Sequence, residues 1–126
     1  MHRSRVYAVL IDTPEAETAD AIAFWSAALG APARQVPSEP QFTVLHEALP
    51  GIVAAVQAVD DAPRFHIDIE TDDVQAETER LLALGAVKTA QWLDCHVLRA
   101  PGGHPVCVIP VHSDPDTFKA LARTWP

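Results

Sequence analysis

Hydrophobic and polar positions along the chain change period several times, and each change marks an element. Residues 64–71, Arg-Phe-His-Ile-Asp-Ile-Glu-Thr, alternate strictly. A period of two places Phe65, Ile67 and Ile69 on one face of a strand, and His66, Asp68 and Glu70 on the other. Residues 5–11 are rich in β-branched and aromatic side chains and read as a buried strand. Asp12-Thr13-Pro14 then predicts a helix start, with Asp12 or Thr13 as cap and Pro14 at the first helical position. Ala21, Phe24, Trp25, Ala28 and Leu29 recur at helical spacing as one apolar stripe. Gly30 ends that helix and Pro32 prevents its continuation.

Short strands are expected at residues 33–36 and 42–46, and a buried one at 52–59, whose apolar run is broken by Gln57. Asp60-Asp61-Ala62-Pro63 is the natural joint. After it the order repeats. A strand over 65–70 leads to a helix capped by Asp72 or Asp73, with Val74, Thr78, Leu81 and Leu82 facing the core and Gln75 at the reciprocal capping-box position if Asp72 is the cap. Gly85 ends it, strands follow at 87–91, 94–99 and 106–110, and Ser113-Asp114-Pro115 opens a short C-terminal helix with Phe118 and Leu121. Ala28-Leu29-Gly30-Ala31 recurs as Ala83-Leu84-Gly85-Ala86, and Ile11-Asp12-Thr13 echoes Ile69-Glu70-Thr71. The chain thus reads as two βαβββ modules, 1–60 and 64–112, with a final helix over 113–125, all in one domain of residues 1–126.

Composition narrows the function classes. A chain of 126 residues that is 48% hydrophobic and 21% charged is long enough for a core and is not disordered. The net charge of −8 argues against nucleic acid, whose phosphates reward Lys and Arg. It favours a neutral or cationic small molecule instead. No apolar run approaches the ~20 residues of a membrane span, and the N-terminal residues do not form a signal peptide, so a cytoplasmic setting is expected. Two cysteines, Cys95 and Cys107, imply no disulfide framework. Gly102-Gly103 lies between two strands and is not a phosphate loop, which needs a helix N-terminus.

Three stretches belong together: Val-Leu-Ile-Asp-Thr-Pro before a helix bearing Phe24-Trp25 and Leu29-Gly30, then Phe-His-Ile-Asp-Ile-Glu-Thr-Asp-Asp, then Leu82 to Ala86 with the turn Arg99 to Pro105. In this order they resemble the vicinal-oxygen-chelate superfamily of glyoxalase I, extradiol dioxygenases and bleomycin-resistance proteins, and within it the small glyoxalase-like domain proteins. The resemblance implies an α+β fold, two tandem βαβββ modules forming one curled mixed sheet around a cavity with the helices outside, usually as a homodimer. It turns His66, Asp68 and Glu70 toward the cavity and Phe65, Ile67 and Ile69 toward the helices. Metal-using members carry ligands on the first and last strands of each module. Those positions fall on His66, on Cys107 where the family's usual Glu is missing, near Arg5 and near Gln57.

A guanidinium and an amide are poor ligands, so no cofactor is expected. If a divalent metal binds, His66 and Cys107 are its candidate ligands, with His96 or His104 as additional donors. The ligand-binding candidates are Arg5, Tyr7, Gln57, His66, Asp68, Trp92 and Cys107, and His66 is the candidate catalytic group, because imidazole titrates near neutral pH. Two functions follow from the resemblance. One is binding of a small molecule without the family's full metal site. The other is a lyase or isomerase using His66 as metal ligand or general acid/base.

Overall fold

The computed structural model describes residues 1–126. It has nine strands and three α-helices, and its contacts group into two compact units, Ala8–His66 and Met1–Tyr7 with Ile67–Pro126. Both units repeat one topology, in which a module's first strand lies parallel to its last. This is the α+β, βαβββ arrangement that the duplicated pattern implies.

In the Ala8–His66 unit the long strand β1 (His2–Pro14) contributes its second half, which runs parallel to β4 (Ile52–Val59) from Ala8↔Val53 to Pro14↔Val59. β3 (Glu39–Leu49) pairs antiparallel with β4, and β2 (Ala33–Val36) with β3. Helix α1 (Thr18–Leu29) covers one sheet face, where Ile11, Ile22 and Trp25 close over Ala31, Leu45, Ala54 and Val56.

This departs from the sequence pattern in two linked ways. β1 stays in the ladder through Pro14, and a 3-10 turn, Glu15–Glu17, separates it from α1. Pairing along β4 outweighs the local capping preference of Asp12-Thr13, and the helix starts at Thr18. The packed stripe accordingly runs through Ile22 and Trp25, while Phe24 is 61% exposed and Leu29 47%.

In the other unit β5 (Arg64–Thr71) runs parallel to β8 (Pro105–Pro110) from Ile67↔Val106 to Thr71↔Pro110. β7 (Cys95–Arg99) pairs antiparallel with β8, and β6 (Val87–Trp92) with β7. Helix α2 (Val74–Ala83) packs on the face that carries His96, Leu98 and Val108, where Thr78 Oγ1 and His96 Nδ1 share a 2.8 Å hydrogen bond. Burial, then the charge of Lys88, hold the His96 imidazole below its usual range, against an opposing pull from Asp94.

Asp73 is the α2 cap and accepts from the Ala76 amide at 2.9 Å, so the cap lies one residue later than a capping box with Gln75 requires. Asp72 takes the Arg3 backbone amide and guanidinium instead, and Gln75 donates to Glu79. Leu82, expected in the core, is 38% exposed, and the buried α2 positions are Glu77 and Thr78. The repeated Ala-Leu-Gly-Ala has a mechanical meaning. Gly30 and Gly85 both take positive φ, and the amides of Ala31 and Ala86 turn back to the carbonyls of Ser26 and Leu81 at 3.0 and 3.1 Å.

The C-terminal helix α3 (Pro115–Leu121) is shorter than the pattern suggested, and the chain then forms β9 (Arg123–Trp125) against the start of β1. Trp125 donates from Nε1 to Ser4 Oγ at 2.8 Å, and the Arg80 guanidinium lies 3.8 Å over its ring. Glu77, fully buried, accepts from His2 Nε2 and from Arg80 Nε and Nη2 at 2.7–2.8 Å. No helix is long and apolar enough to cross a membrane.

Burial pushes the Glu77 carboxyl upward, but the Arg80 and His2 hydrogen bonds and the Arg80 charge outweigh it and hold the group below the usual 4.5. A depressed folded-state pKa means that this stabilisation is in place above pH 4.5 and is lost as the pH falls through the lower folded value. Glu77→Ala is expected to cost about 3 kcal/mol at pH 7, since it strands the donors of His2 and Arg80 around a buried position. Urea unfolding followed by circular dichroism at pH 7 and pH 4 checks both statements, and Glu77→Gln should lose less stability on acidification than the parent.

Candidate functional site

Strand alternation fixes which side chains share the sheet face opposite α1 in the Ala8–His66 unit. Asp12, Gln57 and Phe42 are register partners across β1, β4 and β3, and neighbours directly opposite lie on one face. Their strand neighbours Ile11 and Val56 point the other way, into the α1 core. Asp12 is only 5% exposed, directly after the apolar run Ala8–Ile11 of β1.

The Asp12 carboxylate meets a specific partner. His66 Nδ1 donates to Asp12 Oδ2 at 2.7 Å, and Arg64 Nε lies 3.9 Å from the same oxygen. Arg64 is also tied to Asp61 at 2.7 Å. The second oxygen, Oδ1, is buried and has no hydrogen-bond partner. The His66 side chain is 11% exposed. A carboxylate on Nδ1 fixes the ring plane and keeps a proton on that nitrogen, which makes Nε2 the acceptor nitrogen of the neutral ring. This is the orienting geometry that acid/base histidines need.

The other candidate residues belong to the second unit. Asp68 and Cys107 are register partners on β5 and β8, and a carboxylate oxygen of Asp68 lies within 4.8 Å of Cys107 Sγ. Val97 is the β7 partner of Cys107, and Trp92 is the β6 partner of Cys95, so Trp92, Cys95, Val97, Cys107 and Asp68 share the face opposite α2. Trp92 is 75% exposed there.

Arg5 and Tyr7 alternate onto one face of β1. The Arg5 guanidinium donates to Glu70 Oε2 at 3.1 Å, both side chains being buried. The Tyr7 ring lies 5.6 Å from that of His112. Glu70, expected to face a cavity, is fully buried. It takes the amides of His112 and Ser113 and the Ser113 hydroxyl at 2.6–2.9 Å, which anchors the segment after β8. Phe65, expected to be packed, is 56% exposed, and its ring meets Trp25 edge-on at 6.5 Å.

Asp12 and Arg64 are the site residues that sequence reasoning passed over. The capping preference of Asp-Thr-Pro drew Asp12 into a helix start. The contrary signal was present in the echo of Ile11-Asp12-Thr13 by Ile69-Glu70-Thr71, because the second copy sits plainly at a strand end.

With this geometry in view, comparison with known proteins gives a consistent family. The model of the glyoxalase-like domain matches residues 8–109. A hypothetical protein from Bacillus halodurans C-125 superposes with a TM-score of 0.59 at 10% identity, over 88% of this chain and 96% of that one. Methylmalonyl-CoA epimerase from Mycobacterium tuberculosis gives 0.54 at 13% identity, over 85% and 88%. A glyoxalase/bleomycin resistance protein/dioxygenase superfamily member from Vibrio splendidus 12B01 gives 0.52 at 14%, over 83% and 97%. At such identities the likeness speaks for the fold alone. A search of the curated proteins finds no match.

The Asp12–His66 contact has a direct spectroscopic signature. Long-range proton–nitrogen correlation spectra are expected to place the His66 proton on Nδ1, with a downfield Nδ1–H that disappears in Asp12→Ala. A ring protonated on Nε2 alone in the parent protein would contradict the geometry.

Proposed function

The chain belongs to the glyoxalase-like domain family, and from that premise we propose that it binds a small molecule through His66, on the strand face shared by Asp12 and Gln57. The observation that carries this reading is the 2.7 Å hydrogen bond from His66 to a buried carboxylate. Surface histidines need no such support, whereas a recognition group must be held in one orientation before its ligand arrives. In the other unit, Asp68, Cys107 and Trp92 offer a polar and aromatic surface of their own, and Arg5 and Tyr7 are its further ligand-binding candidates. The net charge of −8 favours neutral or cationic ligands, of which the glycopeptides of the bleomycin class are a concrete probe.

A second reading, an isomerase or lyase with His66 as general acid/base, is favoured by the same contact. An imidazole whose Nδ1 proton is fixed by a carboxylate presents Nε2 for proton abstraction beside a substrate carbonyl.

A divalent ion would call on the thiolate of Cys107 and the carboxylate of Asp68, with His66 two residues before Asp68 on the same face of β5. Such a sulfur, oxygen and nitrogen set suits zinc, which would supply Lewis acidity. The remaining family positions, Arg5 and Gln57, offer a cation already paired with Glu70 and an amide. We therefore favour the metal-free reading, and we propose a homodimer as the working assembly.

Titration calorimetry with bleomycin is expected to show heat, with affinity falling about tenfold, ~1.4 kcal/mol, in His66→Ala. Silence across cationic glycopeptides would sink the binding proposal for that class. Elemental analysis should find well under one divalent ion per chain, and a stoichiometric ion lost in His66→Ala would reassign His66 as a ligand. Light scattering at micromolar concentration should report twice the 13.6 kDa chain mass.

A further inference from the structure

On the α1 side of the Ala8–His66 unit lies an open cleft of ≈ 500 Å³, walled by the first turns of α1, the end of β1 and the start of β5. Its size is that of a small-molecule site. Phe24, Trp25 and Phe65 line it. They form a chain of edge-to-face contacts, Phe24 to Trp25 at 5.1 Å and 86°, and Trp25 to Phe65 at 6.5 Å and 78°. The two phenylalanines are more than half exposed, so this aromatic surface is assembled and yet open to solvent.

The charges around it are unbalanced. Glu17 and Asp20, both exposed, stand in its wall with Asp12. Arg64 is the basic residue among the walls, and its guanidinium is engaged by Asp61 at 2.7 Å and by Asp12 at 3.9 Å. Aromatic rings carry negative faces, and nearby carboxylates reinforce them, which is the environment that holds alkylammonium groups. An anion would face the acids, and a neutral apolar ligand would gain nothing from them.

We propose that this cleft is a binding site for an organic cation of the alkylammonium class, with its apolar body against Phe24 and Phe65 and its charge beside Glu17 and Asp20. The cleft shares Asp12 and Arg64 with the His66 site at its edge, but its aromatic and acidic walls do not rest on the function proposed for His66. A second copy of the chain covering the aromatic patch is the competing occupant. The carboxylates argue against that occupant, because a like-charged copy would have to bury them.

The test uses choline and its uncharged carbon isostere, 3,3-dimethylbutan-1-ol, titrated into the full chain and followed by nuclear magnetic resonance. Choline is expected to shift the Trp25 indole and the Phe24 and Phe65 ring signals, and to bind about fivefold or more tightly than the isostere. The doubly exposed variant Glu17→Lys/Asp20→Lys should keep the parent circular dichroism spectrum and abolish that preference. Equal binding of the two probes, shifts confined to other parts of the chain, or no shifts at all would overturn the proposal. So would a dimer that dissociates to monomer in Phe24→Asp, because the patch would then be a self-interface.

Discussion

A carboxylate removed from water costs several kcal/mol unless donors meet it, and three acids in this chain are buried. Each is answered by a base and has fixed the backbone around it. Asp12 meets His66, Glu70 meets Arg5, and Glu77 meets His2 and Arg80. Through Glu70 the segment at His112–Ser113 is drawn back to β5. Through Glu77 the first residues of the chain and the last strand are locked together, because Arg80 reaches from that acid to the face of Trp125. Little in the Met1–Tyr7 stretch is apolar enough to hold it in place, and polar pairing does so instead.

Asp12 has the longest reach of the three. Its place in the β1–β4 ladder keeps β1 extended to Pro14, and this delays α1 to Thr18. The delay sets the helix phase, so Ile22 and Trp25 turn into the core and Phe24 turns out. The exposed aromatic wall beside α1 and the oriented imidazole of His66 therefore share one cause. A helix that began at Thr13 would have spent the Asp12 carboxylate on backbone amides, and His66 would have lost its partner.

The fold was legible because it rests on local signals that repeat. Gly30 and Gly85 mark left-handed helix ends, and the two copies of Ala-Leu-Gly-Ala carry the same carbonyl-to-amide closures. The strands expected from the alternation of β5 and the apolar run of β4 both form, over Arg64–Thr71 and Ile52–Val59. His66 was visible as the polar member of an alternating strand. Its partner was hidden, because Asp-Thr-Pro is a strong cap in isolation and only long-range pairing reveals it as strand. β9 was hidden for the same reason. Three residues, Arg123–Trp125, have no period to read and are held by the start of β1, more than a hundred residues away.

What remains at Asp12 is an imbalance that packing alone does not explain. One oxygen is satisfied at 2.7 Å and the other is buried without a hydrogen-bond partner. Leaving a buried acceptor unmet costs about 1–3 kcal/mol, and asparagine would offer the same shape without the charge. Asparagine, however, would not stabilise an imidazolium and would not fix which ring nitrogen keeps the proton. A scaffold would be served better by the amide. A histidine that must gain or lose a proton at Nε2 while its Nδ1 stays anchored is served better by the carboxylate. Under the role proposed for His66, a carboxylate rather than an amide at position 12 follows from the need to hold the Nδ1 proton in place, with the unmet oxygen as its cost.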